Sequence, residues 1–128
     1  MSAGSDTTTV LIAEDEADIR ALVTFRLERA GYTVLAAADG EHALEIALEQ
    51  RPDLAILDVM MPKINGFDLT RRIRSEETIA DTPVILLTAS VQEHAVKEGF
   101  EAGANDYIRK PFSPQELLAG VEAVLGRR

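Results

Sequence analysis

Five times over, this chain passes from an apolar run too short to be a helix to a longer segment whose apolar residues recur with helical period. That rhythm leaves few folds open. The short runs are Thr9-Val10-Leu11-Ile12-Ala13, Thr33-Val34-Leu35-Ala36-Ala37, Asp53-Leu54-Ala55-Ile56-Leu57-Asp58, Pro83-Val84-Ile85-Leu86-Leu87-Thr88 and Asp106-Tyr107-Ile108-Arg109-Lys110-Pro111. The first and fourth are dense in β-branched and aliphatic residues, as strands buried on both faces are.

The intervening periodicity predicts helices over 18–30, 41–49, 67–74, 92–102 and 116–125. In the first, Ile19, Leu22, Val23 and Leu27 mark one apolar stripe, Arg20, Arg26 and Glu28 lie off it, and Gly31 supplies a stop. Ser113-Pro114-Gln115-Glu116 reads as a capping box with proline at the first helical position of the last helix. Strict alternation of strand and helix favours an α/β fold, a parallel sheet with helices on both faces. Right-handed crossovers leave the five-stranded, doubly wound, flavodoxin-like order 2-1-3-4-5 as the expected topology.

In that order the carboxyl ends of strands one, three, four and five place Glu14, Asp15, Asp58, Thr88 and Lys110 around a crevice beside the switch point between strands one and three. Open α/β sheets bind their ligands there. The second run is the edge strand, and it ends in Ala36-Ala37-Ala38, which offers no chemistry.

Length and charge bound what such a site can serve. At 128 residues the chain is one domain, expected over 9–128, with the small and polar residues 1–8 as a flexible tail. A net charge of −9 argues against direct binding to nucleic acid, whose phosphates favour clustered Lys and Arg. A basic partner or a bound cation suits it better. The absence of cysteine excludes disulfides and thiolate metal sites and is compatible with a reducing cytoplasm. No stretch has the length and apolarity of a membrane span or the pattern of a signal peptide.

Three carboxylates brought close together repel by roughly 4 kcal/mol per pair at about 4 Å when the effective dielectric is about 20. Glu14, Asp15 and Asp58 must therefore hold a proton or a cation. Oxygen ligands point to a hard cation such as Mg²⁺, which takes one or two carboxylates and reserves positions for phosphate oxygens. Lys110 adds a second positive centre, and the Thr88 hydroxyl can donate to an oxygen that arrives later. Asp58 can then be a nucleophile that becomes an acyl phosphate.

Read together, Leu11-Ile12-Ala13-Glu14-Asp15-Glu16, Leu57-Asp58-Val59-Met60-Met61-Pro62 with Gly66, Leu87-Thr88-Ala89, and Gly103-Ala104-Asn105-Asp106-Tyr107 leading to Lys110-Pro111-Phe112 resemble the receiver domain of bacterial two-component response regulators. The resemblance runs from Thr9 to Leu125. It implies a phosphorylation-dependent signalling switch in which Asp58 accepts a phosphoryl group from a histidine kinase or phosphotransfer protein. It further implies that Asp15, Asp58 and the carbonyl of Met60 bind Mg²⁺, with Glu14 helping through water, and that Lys110 pairs first with Asp58 and then with the phosphoryl group. Thr88 and Tyr107 would form the switch pair, with the signal passed to a downstream protein on the face made by the fourth helix, fifth strand and fifth helix. A cis peptide before Pro111 is expected on the same ground.

Two departures stand against that pattern. Gly120 occupies the position where receivers of the winged-helix transcription-factor subgroup carry a basic residue, and it costs roughly 1 kcal/mol relative to alanine within a helix. Met60 and Ser90 hold the positions that influence attack by water in the family. Three other readings compete. Glu14-Asp15-Glu16 could only cap the first helix. The second is an aspartyl-phosphate hydrolase acting on external substrates, which commonly places a second Asp two residues beyond its nucleophile, where this chain has Met60. The third, a flavin-binding domain of like topology, suits neither the acidic loop nor a chain without Trp. The switch reading expects self-catalysed phosphoryl transfer and dephosphorylation without external turnover, and allows that the chain is cut from a longer regulator.

Overall fold

The computed structural model describes residues 7–89 and 92–126. Its elements follow the order β1 (Thr9–Ala13), α1 (Ala17–Arg29), β2 (Thr33–Ala37), α2 (Gly40–Gln50), β3 (Leu54–Asp58), α3 (Gly66–Ser75), β4 (Val84–Thr88), α4 (Glu93–Ala102), β5 (Asp106–Arg109) and α5 (Pro114–Gly126). The five strands form one sheet in the order β2-β1-β3-β4-β5, every pair parallel. The expected topology and element count hold, with helix ends shifted by a residue or two.

Strand periodicity sorts the core into two layers. Leu11, Ala13, Ala55, Leu57, Val84 and Leu86 point to one face, where α2 and α3 cover them with Ala43, Leu44, Ala47, Leu69 and Ile73. Their chain neighbours Val10, Ile12, Leu54, Ile56, Ile85 and Leu87 point to the other, against Val23 and Leu27 of α1 and Leu117, Val121 and Val124 of α5. β3 and β4 are buried along their whole length, which a run such as Leu54-Ala55-Ile56-Leu57 needs to remain in contact with apolar neighbours on both sides. Burying one such leucine contributes about 1.5–3 kcal/mol, so the sheet interior outweighs any single cap.

Turn chemistry sets where the helices start. The Asn65 side chain accepts from Asp68 N at 2.8 Å and that of Asp39 from His42 N at 2.9 Å. At α5 the capping box is reciprocal: Ser113 Oγ accepts from Glu116 N at 3.1 Å, and Glu116 Oε1 accepts from Ser113 N at 2.8 Å. The Gly120 position has a packing reason, because a Cβ there would lie 3.0 Å from Ile108 Cδ1, letting α5 come close to β5.

Some sequence expectations are corrected here. Leu22, assigned to the buried stripe of α1, is 45% exposed, whereas Val23 and Leu27 face the core. Just before β1, the Thr8 carbonyl accepts from Thr33 N at 2.9 Å. Residues 1–6 and Ser90 lie outside the described residues. Unforeseen was Arg74 at the end of α3, whose guanidinium donates to the carbonyls of Ala80, Thr82 and Gly103 and to Asn105 Oδ1. It ties the loop before β4 to the turn before β5, and its burial pushes its pKa down.

Candidate functional site

Parallel strands all end on the same edge of the sheet, so the polar residue that closes each apolar run arrives at one place. Leu57 sits in register with Ala13 and Asp58 with Leu87, while Thr88 pairs with Arg109, one residue before Lys110. The outcome is the crevice expected from strand order. Glu14 and Asp58 are buried, Thr88 nearly so, and Asp15 faces solvent. Ligand oxygens of Glu14, Asp15 and Asp58 all lie within 4.8 Å of one another.

Lys110 enters this acidic pocket from the loop after β5. Its Nζ lies 2.8 Å from Glu14 Oε1 and 3.0 Å from Asp58 Oδ1, with Glu16 Oε1 further out at 3.9 Å. The peptide between Lys110 and Pro111 is cis, as expected. Burial pushes the Asp58 carboxyl up to about 7, the neighbouring Glu14 charge adds to the shift, and Lys110 opposes both. For Lys110, burial by itself would favour the neutral amine. The two carboxylates outweigh it and hold the ammonium pKa above its usual value.

One ammonium offsets only part of the charge of three carboxylates, so the pocket suits a further cation. An all-oxygen donor set with one solvent-facing carboxylate fits a hard divalent ion that keeps some of its water. The capping alternative is not what the loop does. Glu16 is the N-cap residue of α1 and makes no side-chain capping bond, and Glu14 turns inward, where its Oε2 accepts from Glu16 N at 3.1 Å.

The loop after β3 is shaped by a glycine. Gly66 N donates to Val59 O at 2.9 Å, and a Cβ on Gly66 would lie 2.6 Å from Asp58 O and 2.9 Å from Val59 Cα. All of these are backbone atoms, so nothing flexible can give way. Gly66→Ala is therefore expected to cost about 1–3 kcal/mol in urea denaturation, and to shift the backbone that carries Asp58. Unchanged stability would show that the loop has slack.

Of the remaining expected residues, Met60 carries its side chain into solvent at 76% exposure. Tyr107 is half-buried and meets Phe100 edge to face, with ring centroids 5.9 Å apart. Thr88 and Tyr107 both border a small apolar pocket shared with Leu86, Val96 and Gly99. His42 and His94 are exposed, as surface residues should be. Two participants escaped sequence reasoning: Glu16, which reaches toward Lys110, and Arg20, whose Nη1 donates to Glu14 O at 2.8 Å and approaches Asp15 O at 3.4 Å. Helical spacing marked Arg20 only as an off-stripe residue, because no periodicity encodes a side chain folding back onto the preceding loop.

Comparison with known proteins decides the family. The model of the response regulator receiver domain matches residues 10–122. The chain belongs to that family. This receiver domain is 45% identical over 119 residues to the phosphate regulon transcriptional regulatory protein PhoB of Pseudomonas aeruginosa, a match covering 93% of this chain and 52% of the relative. Among solved structures it resembles a putative response regulator from Chloroflexus aurantiacus, with a TM-score of 0.90 and 41% identity over 95% of this chain and all of the other. It also resembles the receiver domain of the sensor histidine kinase PA1611 of Pseudomonas aeruginosa, a structure with magnesium coordinated in the active-site cleft. That likeness has a TM-score of 0.87 and 32% identity over 94% and 98% of the two chains.

Receiver domains of this kind are phosphorylation-dependent signalling switches, and the hydrolase alternative gains no support from the comparisons. The chain spans about half the length of the curated relatives it matches. Among the described residues no helix is long and apolar enough to cross a membrane.

Proposed function

We propose that Asp58 is the phosphoacceptor of this switch, taking its phosphoryl group from a histidine kinase or phosphotransfer protein. The observation that carries this reading is a nearly inaccessible carboxylate held 3.0 Å from an ammonium and grouped with two further acids at the open end of the sheet. In the transfer, an Asp58 oxygen forms the new P–O bond as the P–N bond to the donor histidine breaks. Lys110 offsets the charge of the incoming group from one side, which is most of what loose phosphoryl transfer requires. Glu14, Asp15, Asp58 and the Met60 carbonyl would hold Mg²⁺, which when bound supplies a second positive centre for the phosphate oxygens.

The Thr88 hydroxyl then donates to the acquired phosphoryl group, and the Tyr107 ring follows toward the apolar pocket beside it. That rearrangement alters the face formed by α4, β5 and α5, where a downstream protein docks. The same reading makes residues 9–128 the receiver domain with residues 1–8 as its tail, working in the cytoplasm and acting on itself rather than on external substrates. The net charge of −9 supports relay by protein contact over direct binding of nucleic acid. Incubation with acetyl phosphate should add one phosphoryl group, seen by intact mass, when Mg²⁺ is present and none when it is chelated. An unchanged mass in both conditions would overturn the proposal.

A further inference from the structure

The carboxylate of Asp15 poses a question of placement. It is exposed, and among the described residues no hydrogen bond or ion pair holds its side chain, yet it lies within 4.8 Å of its partners in the acidic group. Glu14 is fixed by burial and by Lys110, and Asp58 by β3 and by Lys110. Asp15 depends instead on the backbone of the loop between β1 and α1. The bond from Glu16 N to Glu14 Oε2 holds the end of that loop, and the carbonyls of Glu14 and Asp15 are held from the first turn of α1 by Arg20.

We propose that Arg20 is a positioning residue for the cation-binding group, holding the loop so that Asp15 is aimed at Asp58. Resting on the function proposed above, the inference concerns a residue that touches neither the cation nor the phosphoryl group. Its Nη1 donates to Glu14 O at 2.8 Å and reaches Asp15 O at 3.4 Å, bracketing the peptide that sets the direction of the Asp15 side chain. A guanidinium suits this task because its donors are planar and fixed relative to one another, and it keeps its charge at any working pH. α1 supplies a rigid base, since Val23 and Leu27 anchor it in the core.

Two consequences of removing Arg20 oppose each other. Loss of a positive charge near the pocket would tighten cation binding, and loss of the grip on the loop would weaken it. The charge is partly exposed and screened by solvent, so its effect is small. Groups that orient ligands from behind commonly change metal affinity by about tenfold or more. Positioning is therefore the larger effect.

The test uses Mn²⁺ alone as the probe, titrated into the unphosphorylated protein and followed by water-proton relaxation. Arg20→Ala and Arg20→Gln are each expected to weaken binding about tenfold, and Arg20→Lys, which keeps a donor within reach of Glu14 O, to restore a part of it. The apo melting temperature of each variant should remain within a few degrees of the wild type. Equal or tighter Mn²⁺ binding by Arg20→Ala would overturn the inference and leave the proposed function standing, as would a loss matched by a collapse of the apo melting temperature in all three variants. Failure of the wild-type protein to bind Mn²⁺ would overturn both.

Discussion

Asp58→Asn is expected to abolish phosphoryl uptake and, with divalent ions chelated, to stabilise the fold at pH 8 by as much as about 4 kcal/mol. The first effect follows from chemistry, because an amide nitrogen and oxygen cannot replace the attacking carboxylate. The second follows from burial. Removal from water, helped by Glu14, lifts the Asp58 carboxyl from 3.8 to about 7 in the folded state. The native fold therefore binds this proton more tightly than the unfolded chain does. Its contribution to stability is complete below about pH 4 and is lost as pH rises through about 7.

A shift of about three units at about 1.4 kcal/mol each sets the ceiling on that loss. Asparagine resembles the protonated acid at all pH values and never incurs it. Urea denaturation midpoints of the two proteins should thus nearly coincide at pH 4 and separate steadily toward pH 8, the variant being the more stable. Coincident midpoints at pH 8 would mean that Asp58 ionises in the fold without penalty. Under the proposed function, the charge that lets Asp58 take up a phosphoryl group would also destabilise its surroundings until a cation offsets it.

Lys110→Met is the second large effect, and it runs in the opposite direction. Among the described residues, the ion pairs of both Glu14 and Asp58 run to Lys110 alone. Removing the ammonium leaves two buried carboxylates facing each other, and breaking a buried pair in this way costs about 3–5 kcal/mol. The cost is expected in full at pH 8 with chelator present. It shrinks toward pH 5, where Asp58 can take up a proton instead. Phosphoryl uptake from acetyl phosphate should also slow by about 10²-fold, the usual consequence of removing one positioned donor from a site where charge is transferred. Wild-type stability at pH 8 together with a wild-type rate would show that the contacts at 2.8 and 3.0 Å are incidental.

Much of this arrangement was legible before any coordinates. Leu54-Ala55-Ile56-Leu57 is too short and too evenly apolar to be anything but an interior strand, and the same reasoning placed β1 and β4. The α5 capping box was readable because it depends on residues three apart in the chain, and local hydrogen bonds write themselves into local sequence. Once strand order was fixed, the convergence of Glu14, Asp15, Asp58, Thr88 and Lys110 was a matter of topology alone.

What sequence reasoning missed shares one property: it depends on distances between segments that are not neighbours in the chain. Leu22 reads as part of an apolar stripe, but the rotation of α1 against the sheet turns it outward and Val23 inward. Arg74 enters the sequence reading only as the last residue of the third predicted helix, yet the turn before β5 and the loop before β4 both fold over it. Gly66 was named in the motif after β3, but the reason for it shows only in the fold, where a Cβ would lie 2.6 Å from the Asp58 carbonyl.

By itself, then, the order of residues determined the alternating architecture, the strand sequence and the identity of the acids and the base that meet at the end of the sheet. These follow from hydrophobic period and from crossover handedness, which are properties of the chain. Only the folded molecule decided how those groups are tuned: which carboxylate is buried, that one ammonium serves two acids, that Asp58 holds its proton to about 7, and that Arg20 turns back to grip the loop. Desolvation and short-range electrostatics depend on fractions of an ångström and on what excludes water, and neither quantity exists until the segments have packed.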